Sequence, residues 1–378
     1  MAIARYTPLL WVLLTGCPVD ETPAVAPRVA AGGFHSCAVA ASGSVSCWGH
    51  NDQGQLGDGT TDPAVAPVAV ADLNDAVEVA AGETHSCAIR SSGLAVCWGQ
   101  GYESVPKAVK GFKDAAQIDG GGAFRCAVRE DGEAVCWGDN AMGQLGDGSG
   151  ADASGPVEVL ELSDALSVTA GADHACGLRA TGEVECWGRN DHGQLGDGVE
   201  VHETCEHGSL GSLDCSSLPV PVTGLDDVVA LAAGGHHTCA ARGDGQILCW
   251  GLNDQGQLGD GALADSWVPL AVAELDPADQ VACGGGHSCA SLVTGQLMCW
   301  GANDARQLAD GTKDDRLAPV SSGGIRDAVQ VAAGQAHNCA LMDSGQLVCW
   351  GWNEYGQIGD GSTGPSTPPR NVTDLSTL

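Results

Sequence analysis

Cysteine is the residue type with the greatest chemical potential in this chain of 378 residues, where it occurs 18 times. So many cysteines indicate either disulfides, which persist outside the reducing cytoplasm, or bound metal. Most of them form seven pairs whose members are ten positions apart: Cys37–Cys47, Cys87–Cys97, Cys126–Cys136, Cys176–Cys186, Cys239–Cys249, Cys289–Cys299 and Cys339–Cys349. An eighth pair, Cys205–Cys215, has the same separation.

The spacing within the pairs favours disulfides over zinc. A structural zinc site takes four converging ligands, typically two close Cys-x2-Cys pairs, which a single pair ten residues apart does not supply. A glycine follows the first cysteine by six positions in every repeated pair: Gly43, Gly93, Gly132, Gly182, Gly245, Gly295 and Gly345. Glycine at the last position of a three-residue hairpin loop places the two cysteines opposite each other, about 4.5 Å apart at Cα. We therefore predict eight disulfides, with Cys17 left over and Cys283 a small buried thiol.

Histidine and aspartate also recur with the repeat. The repeated histidines are His35, His85, His174, His237, His287 and His337, and Arg125 is interpreted as their counterpart in the third unit. A ring of histidines suits a metal, but spacing that follows the repeat favours a structural role, with each ring hydrogen-bonded to backbone. The aspartates of the Gly-Asp-Gly loops are Asp58, Asp147, Asp197, Asp260, Asp310 and Asp360. We expect them to bond neighbouring backbone amides rather than calcium, and we predict no metal, no cofactor and no catalytic residue.

The repeat itself predicts the fold. Cys-Trp-Gly occurs seven times, at steps of 50, 39, 50, 63, 50 and 50 residues. Each unit contains several short β-compatible runs bounded by Gly, Asn, Asp or Pro, and units of about 50 residues with several strands are typical of propeller blades. The sequence therefore predicts an all-β, seven-bladed β-propeller over residues 29–378, as a single domain with an insertion at 199–218 in the fourth unit.

Charge and motifs exclude several functions. Only 16 residues are Lys or Arg against 48 Asp or Glu, a formal net charge of −32. This charge repels nucleic acids and anionic membrane surfaces, which require a positive footprint. The chain also contains no Gly-x-Ser-x-Gly, no His-Glu-x-x-His, no phosphate-binding loop and no dinucleotide fingerprint.

The amino terminus has the layout of an export signal. One cation, Arg5, precedes a short apolar run, which is too short for a spanning helix. Leu14-Thr15-Gly16-Cys17 resembles the lipobox of bacterial lipoproteins, which implies cleavage after residue 16 and lipid attachment at Cys17. Residues 17–28 are then a lipidated cysteine and a proline-rich tether. The expected location is a bacterial membrane, on its periplasmic or cell-surface side; the alternative is an ordinary signal peptide followed by a chance cysteine.

The repeated motifs also resemble a known family. Gly-x-x-His-Ser-Cys-Ala, Cys-Trp-Gly-x-Asn and Gly-Gln-Leu-Gly-Asp-Gly are similar to the repeat of the regulator of chromosome condensation family, over nearly the whole span 29–378. The resemblance implies a seven-bladed propeller. The family's eukaryotic founder exchanges nucleotide on a nuclear GTPase and binds chromatin, roles that an exported protein of charge −32 is not expected to share. Secreted bacterial members that inhibit β-lactamases through loops on one face offer a closer analogy.

Residues that break the repeat are the better candidates for function. They are the insertion with His202 and His207, and the aromatic residues Tyr102, Trp267, Trp352 and Tyr355. Local packing is the alternative explanation for each. We expect a non-catalytic, monomeric envelope lipoprotein that binds a protein or glycan partner. The alternative is an envelope hydrolase or lyase, which requires three or more titratable side chains to converge in the central funnel.

Overall fold

The computed structural model describes residues 28–207, 211–373 and 375, whose strands form seven antiparallel sheets around a central channel. Each sheet is one blade built from consecutive segments of the chain, so the predicted all-β seven-bladed propeller is confirmed. The predicted signal segment 1–16, the lipidation site Cys17 and the tether up to residue 27 lie outside the described residues. Within the described part of the chain, no helix is long and apolar enough to cross a membrane.

The strands are numbered β1 to β29 in chain order. Blades 1 to 3 consist of β1 (Arg28–Ala31), β2 (His35–Val39), β3 (Val45–Gly49), β4 (Ala64–Ala69); β5 (Ala76–Ala81), β6 (His85–Arg90), β7 (Ala95–Gly99), β8 (Lys107–Ala108); and β9 (Ala115–Gly120), β10 (Phe124–Arg129), β11 (Ala134–Gly138), β12 (Ala153–Glu158). Blades 4 and 5 consist of β13 (Ala165–Ala170), β14 (His174–Arg179), β15 (Val184–Arg189), β16 (Glu203–His207), β17 (Gly211–Pro221); and β18 (Val228–Ala233), β19 (His237–Arg242), β20 (Ile247–Gly251), β21 (Ser266–Ala271). Blades 6 and 7 consist of β22 (Ala278–Cys283), β23 (His287–Leu292), β24 (Leu297–Gly301), β25 (Arg316–Ser321); and β26 (Ala328–Ala333), β27 (His337–Met342), β28 (Leu347–Asn353), β29 (Gly364–Asn371).

The central hairpin of each blade has the predicted register. In blade 1, Cys37 lies opposite Cys47 with Cα atoms 4.1 Å apart, and the disulfide forms between them. The Ala40 N–H donates to the Ser44 carbonyl at 2.9 Å, which closes a three-residue loop that ends on Gly43 at φ 83°. The equivalent glycines of the other six blades have φ between 77° and 91°. Each bridge stabilises its short loop by roughly 2–3 kcal/mol in the chain-entropy model.

The eighth disulfide differs from the others in register. Cys205 faces Leu213 and Cys215 faces Glu203, so the bridged residues are diagonal neighbours with Cα atoms 6.0 Å apart. It joins β16 to β17 and makes the insertion a fifth strand of blade 4. All eight predicted disulfides are therefore present, and Cys283 is a buried free thiol.

A ring of backbone hydrogen bonds closes the propeller. At one end of each innermost strand, an N–H donates to a glycine carbonyl of the next blade, over N···O distances of 3.0 to 3.3 Å. The donor and acceptor pairs are Gly33–Gly82, Glu83–Gly121, Gly122–Gly171, Ala172–Gly235, Gly235–Gly284, Gly285–Gly334 and Gln335–Gly32. The last pair joins blade 7 to blade 1, so the ring closes without exchange of a strand between the first and last blades.

Glycine is required at this ring because the blades approach too closely for a side chain. A Cβ on Gly82 would lie 2.6 Å from the carbonyl oxygen of Gly121, well inside van der Waals contact. The same contact, at most 2.6 Å, recurs at the equivalent glycine of every blade: Gly32, Gly121, Gly171, Gly234, Gly284 and Gly334. The repeated glycine is therefore an element of blade-to-blade packing as well as of turns.

The repeated tryptophans form the second contact between blades. All seven are buried, with at most 1% exposure. In blade 2, the Trp98 indole N–H donates to the Gln55 carbonyl of blade 1 at 2.8 Å, and Gly57 of the same loop leaves room for the ring. The Gly-Gln-Leu-Gly-Asp-Gly loop of one blade thus covers the tryptophan of the next. This arrangement explains why the loop and the Cys-Trp-Gly motif recur together.

The connections between strands define two opposite faces. The loop face carries the turns between the first and second strands and the long connections between the third and fourth strands. The two kinds of connection touch, since the His50 N–H donates to the Phe34 carbonyl at 2.9 Å. The hairpin face carries the disulfide hairpins and the linkers between blades. Arg28 pairs with Val39, next to a hairpin, so the described chain begins at the hairpin face.

We predict that Gly82→Ala lowers the free energy of unfolding by about 2–3 kcal/mol, because the new Cβ forces the ring apart. Chemical denaturation of the oxidised protein measures the change. Gly155→Ala in β12 is the control, since a Cβ at Gly155 meets nothing within 4 Å. Equal effects of the two substitutions would contradict the close-packed ring.

Candidate functional site

The repeated histidines have a structural role, but their partners differ from the prediction. His35 Nε2 bonds the hydroxyl of Ser86 in the next blade at 2.8 Å, and that hydroxyl donates to the Gln55 carbonyl at 2.9 Å. The imidazole is therefore the donor to Ser86, through Nε2–H. Further pairs of this kind are His174–Thr238, His237–Ser288, His287–Asn338 and His337–Ser36. These histidines bridge blades through side chains rather than binding backbone in their own unit.

The third unit corrects the interpretation of Arg125. Phe124 faces Gly138 as His35 faces Gly49, so Phe124 holds the histidine position and Arg125 holds that of the serine. In the next blade the serine position is Ala175, and the polar pair is replaced there by an apolar one. Sequence reasoning missed this because it aligned the positively charged residue with histidine instead of counting from the cysteine.

Burial keeps the ring histidines neutral. It lowers the pKa of His35, His174, His237 and His337 to about 3 and that of His287 to about 4. One imidazole nitrogen of His237 lies within 4.8 Å of the sulfur atoms of Cys239 and Cys283. The sulfur of Cys239 belongs to a disulfide and supplies no thiolate. The bonds that these histidines make are contacts between blades.

The aspartates of the Gly-Asp-Gly loops bond neighbouring amides, as predicted. Asp58 Oδ1 accepts the Thr60 N–H at 2.9 Å, and Asn51 Nδ2 donates to the carbonyl of Asp62 in the same loop. The remaining aspartates of this set accept the amide two residues further on at 2.8 to 3.1 Å: Asp147, Asp197, Asp260, Asp310 and Asp360. They hold the loops that cover the tryptophans.

The central channel is lined mainly by small and apolar residues of the inner strands, around a cavity of about 340 Å³. Two carboxylic acids are among the described residues that line it, Glu78 and Asp119. Burial is the main cause that raises the pKa of Glu78 to about 7 and that of Asp119 to about 6. Asp119 accepts the N–H groups of Gly120 and Ala170 at 2.9 and 3.0 Å, so it joins blades 3 and 4.

The amides of the channel have the same bridging role. Gln117 accepts the Val168 N–H at 2.9 Å and donates to its carbonyl at 3.1 Å. Gln330 makes the equivalent pair of bonds with Val29, across the junction of blades 7 and 1. The polar side chains of the channel thus connect inner strands. The Cys283 thiol also lines the cavity, and burial raises its pKa to about 12.

Two of the predicted binding residues pack within the framework. Tyr102 replaces the covering loop that blade 2 lacks, since its hydroxyl accepts the Trp137 indole N–H at 2.9 Å. The Arg125 guanidinium lies 5.4 Å from the centre of the Tyr102 ring. Trp267 lies against Gly193 of the preceding blade, and its carbonyl accepts the Gly198 N–H at 2.8 Å. Residues that break a sequence repeat can therefore still complete a blade contact.

His202 holds the base of the insertion. Its Nε2 lies 2.7 Å from Asp197 Oδ2, and its Nδ1 lies 3.3 Å from Asp214 Oδ2. These carboxylates raise the pKa of His202, although burial opposes them. His207 is the last residue of β16. The predicted histidines of the insertion thus lie in one hairpin, where His202 is an anchor.

Trp352 and Tyr355 come together in an aromatic cluster on the loop face. Their partners are Phe34 and His50, two residues that sequence reasoning did not select. The Phe34 and Trp352 ring centres are 4.9 Å apart at right angles, and those of His50 and Tyr355 are 4.3 Å apart. All four rings are half-buried. The cluster joins blades 7 and 1. The one sign of it in the sequence is an aromatic residue at a loop position where the other units have small or polar residues.

A groove adjoins this aromatic cluster on the loop face. It encloses about 500 Å³ across blades 5, 6 and 7, and Trp352 lies at its edge. Its polar residues include Asp254, Asp304, Lys313 and Gln335. The loop face therefore combines half-buried aromatic rings, a polar groove and the insertion of blade 4, which together suit recognition of a macromolecule.

Comparisons with known proteins agree with this architecture. The model of the RCC1-like domain matches residues 100–377, and models of the regulator of chromosome condensation (RCC1) repeat match residues 42–89, 28–55 and 76–104. Prp20p of Saccharomyces cerevisiae is 24% identical, with a TM-score of 0.73 over 88% of this chain and 86% of that chain. Human WBSCR16 is 20% identical, with a TM-score of 0.76 over 87% and 94% of the two chains. No curated protein matches the chain in sequence.

This protein is therefore a seven-bladed β-propeller whose loop and tryptophan motifs interlock between neighbouring blades. The RCC1-like domain model covers most of the chain, so the protein belongs to the RCC1-like domain family. The two solved structures are less than 25% identical and bear on the fold alone. The expected family resemblance is thereby confirmed.

We predict that exchanging the His174–Thr238 pair for Phe and Ala reduces the loss of stability in acid. The unfolded state binds a proton at His174 below pH 6.5 and the folded state only near pH 3, so acidification destabilises the wild type. Between pH 7.5 and pH 5 the double variant should lose about 2 kcal/mol less unfolding free energy. The reciprocal exchange, Phe124→His with Ala175→Ser, should increase the loss; identical pH profiles of all three proteins would contradict this role.

Proposed function

We propose that this protein is a non-catalytic lipoprotein of a bacterial cell envelope that binds a protein partner through its loop face. The observation that carries the proposal is the face on which two departures from the repeat lie. The aromatic cluster and the strand-forming insertion both lie on the loop face. The hairpin face carries mainly repeated turns and linkers.

The geometry of the chain is consistent with a membrane anchor below the propeller. Arg28 lies at the hairpin face, and eleven positions separate it from Cys17. A fully extended chain of that length spans at most about 40 Å. A lipid on Cys17 would therefore tether the propeller from its hairpin face and leave the loop face accessible to a partner.

Three further observations support the proposal, the first of them bearing on export and the others on binding. The eight disulfides suit an exported protein, because such bridges persist outside the reducing cytoplasm. The channel carboxylate of Asp119 accepts the Ala170 N–H of the next blade, which gives it a role in packing. Prp20p, a protein of similar fold, is described as binding Gsp1p and histones. The fold is therefore compatible with protein partners.

The binding test is a loop exchange. Residues 199–218 are replaced with a copy of residues 262–268, the corresponding connection of blade 5, which preserves the covering loop and the outer strand. A second variant combines Trp352→Ala with Tyr355→Ala. We expect each change to reduce recovery of the partner from a solubilised envelope fraction at least tenfold, as measured by quantitative mass spectrometry.

The control variant lies on the hairpin face. Leu166 and Val229 are 61% and 55% exposed there, and replacing both with alanine should leave recovery unchanged. Full recovery with both loop-face variants, or loss with the hairpin-face variant alone, would contradict the proposed binding surface.

We predict that Cys17→Ser releases the protein from the membrane fraction, because the lipid attaches to the cysteine sulfur. Fractionation of the native host and the mass of the amino-terminal peptide measure the change. Cys283→Ser is the control, since Cys283 is buried in the propeller. Lipid anchoring would be refuted if the variant stayed in the membrane fraction and the wild-type amino-terminal peptide carried no lipid. The binding surface is tested separately, by the loop exchange.

A further inference from the structure

In every blade, a proline lies in or immediately before the strand that pairs with the outer side of the third strand. In blade 1, Val68 faces Cys47, and Pro67 immediately precedes it. The corresponding prolines of the other blades are Pro106, Pro156, Pro219, Pro269, Pro319 and Pro369. Proline has no N–H to donate, so its presence on an edge strand obstructs pairing with another strand. The repeated edges of the propeller are therefore protected against strand addition.

Strand β16 is an edge without this protection. The insertion places it outside β17, as the last strand of the blade 4 sheet. Its sequence, Glu-Thr-Cys-Glu-His, contains no proline. Glu203, Thr204 and Glu206 are exposed, and no described strand pairs with the outer side of β16. Its outward N–H and C=O groups are available to an extended polypeptide.

The edge is also held in position before any partner arrives. The Cys205–Cys215 disulfide ties the middle of β16 to β17. Immediately before β16, the His202 N–H donates to Asp214 Oδ1 at 2.6 Å and the His202 imidazole contacts Asp197. A strand that is already ordered loses less conformational entropy on binding.

Charge selects among the possible occupants of this edge. The insertion contains the acidic residues Glu200, Glu203, Glu206 and Asp214 and no Lys or Arg. A strand with Lys or Arg next to these glutamates gains from cross-strand pairing of opposite charges. A second copy of β16 would place glutamates near glutamates, which is unfavourable. The edge therefore suits a basic segment better than a copy of itself.

We propose that β16 is a docking edge, to which an extended segment bearing Lys or Arg from a protein partner adds as a further strand. This inference rests on the proposed protein-binding function and specifies how the insertion takes part. It assigns affinity to main-chain hydrogen bonds along β16 and selectivity to the glutamates beside them.

The probe for this proposal is a capped octapeptide in which lysine alternates with valine, added to the full oxidised protein. Hydrogen exchange followed by mass spectrometry should show at least tenfold slower exchange of outward amides in β16. Substituting Glu206→Lys should abolish the effect and create the same response to a peptide that alternates glutamate with valine. Absence of protection in the wild type, or equal protection by the glutamate peptide, would overturn the proposal.

Proline variants test the edge itself. Successive residues of a strand direct their N–H groups to opposite sides, so one of Glu203→Pro and Thr204→Pro removes an outward donor and leaves the pairing with β17 intact. That variant, identified by an unchanged exchange rate in β17, should lose peptide protection. Protection that persists, or concentration-dependent dimers formed through β16, would also overturn the proposal. If the loop exchange abolishes partner recovery while the peptide has no effect, protein binding stands and strand addition is refuted.

Discussion

Close approach between neighbouring inner strands is the constraint on which this propeller depends. Backbone N–H groups reach the glycine carbonyls of the next blade around the whole channel, and a single Cβ at a position such as Gly82 would collide with the carbonyl of Gly121. With this distance set, the tryptophans such as Trp98 come under the loop of the preceding blade, and five of the six repeated histidines bond a side chain of the next blade, as His35 bonds Ser86. The residues of the repeat motif therefore make contacts between units more than contacts within a unit.

In two exceptions to the repeat, a change on one side of a blade contact is matched on the other. Phe124 replaces a histidine where Ala175 replaces the hydroxyl partner. Tyr102 supplies an acceptor to Trp137 where the covering loop is missing. Two further departures, the aromatic cluster and the insertion of blade 4, lie on the loop face.

Contacts between blades also explain the polar residues of the channel. Buried amides and carboxyl groups require hydrogen-bond partners, and Gln117, Gln330 and Asp119 find them in the next blade. Their hydrogen bonds therefore help to hold the ring of blades together. The loop face carries the aromatic cluster that includes Trp352 and the insertion that adds a fifth strand to blade 4.

The sequence by itself determined the blade count, the strand pairs, the hairpin register and the disulfides. These depend on local interactions: a cysteine, a glycine six positions later and a second cysteine four beyond it define one hairpin, as in Cys37–Cys47. Only the tertiary structure decided the partner of His35, the role of Tyr102 and the meeting of Phe34 with Trp352. Those contacts cross between blades or close the ring, so they join residues whose separation in sequence carries no signal of their proximity.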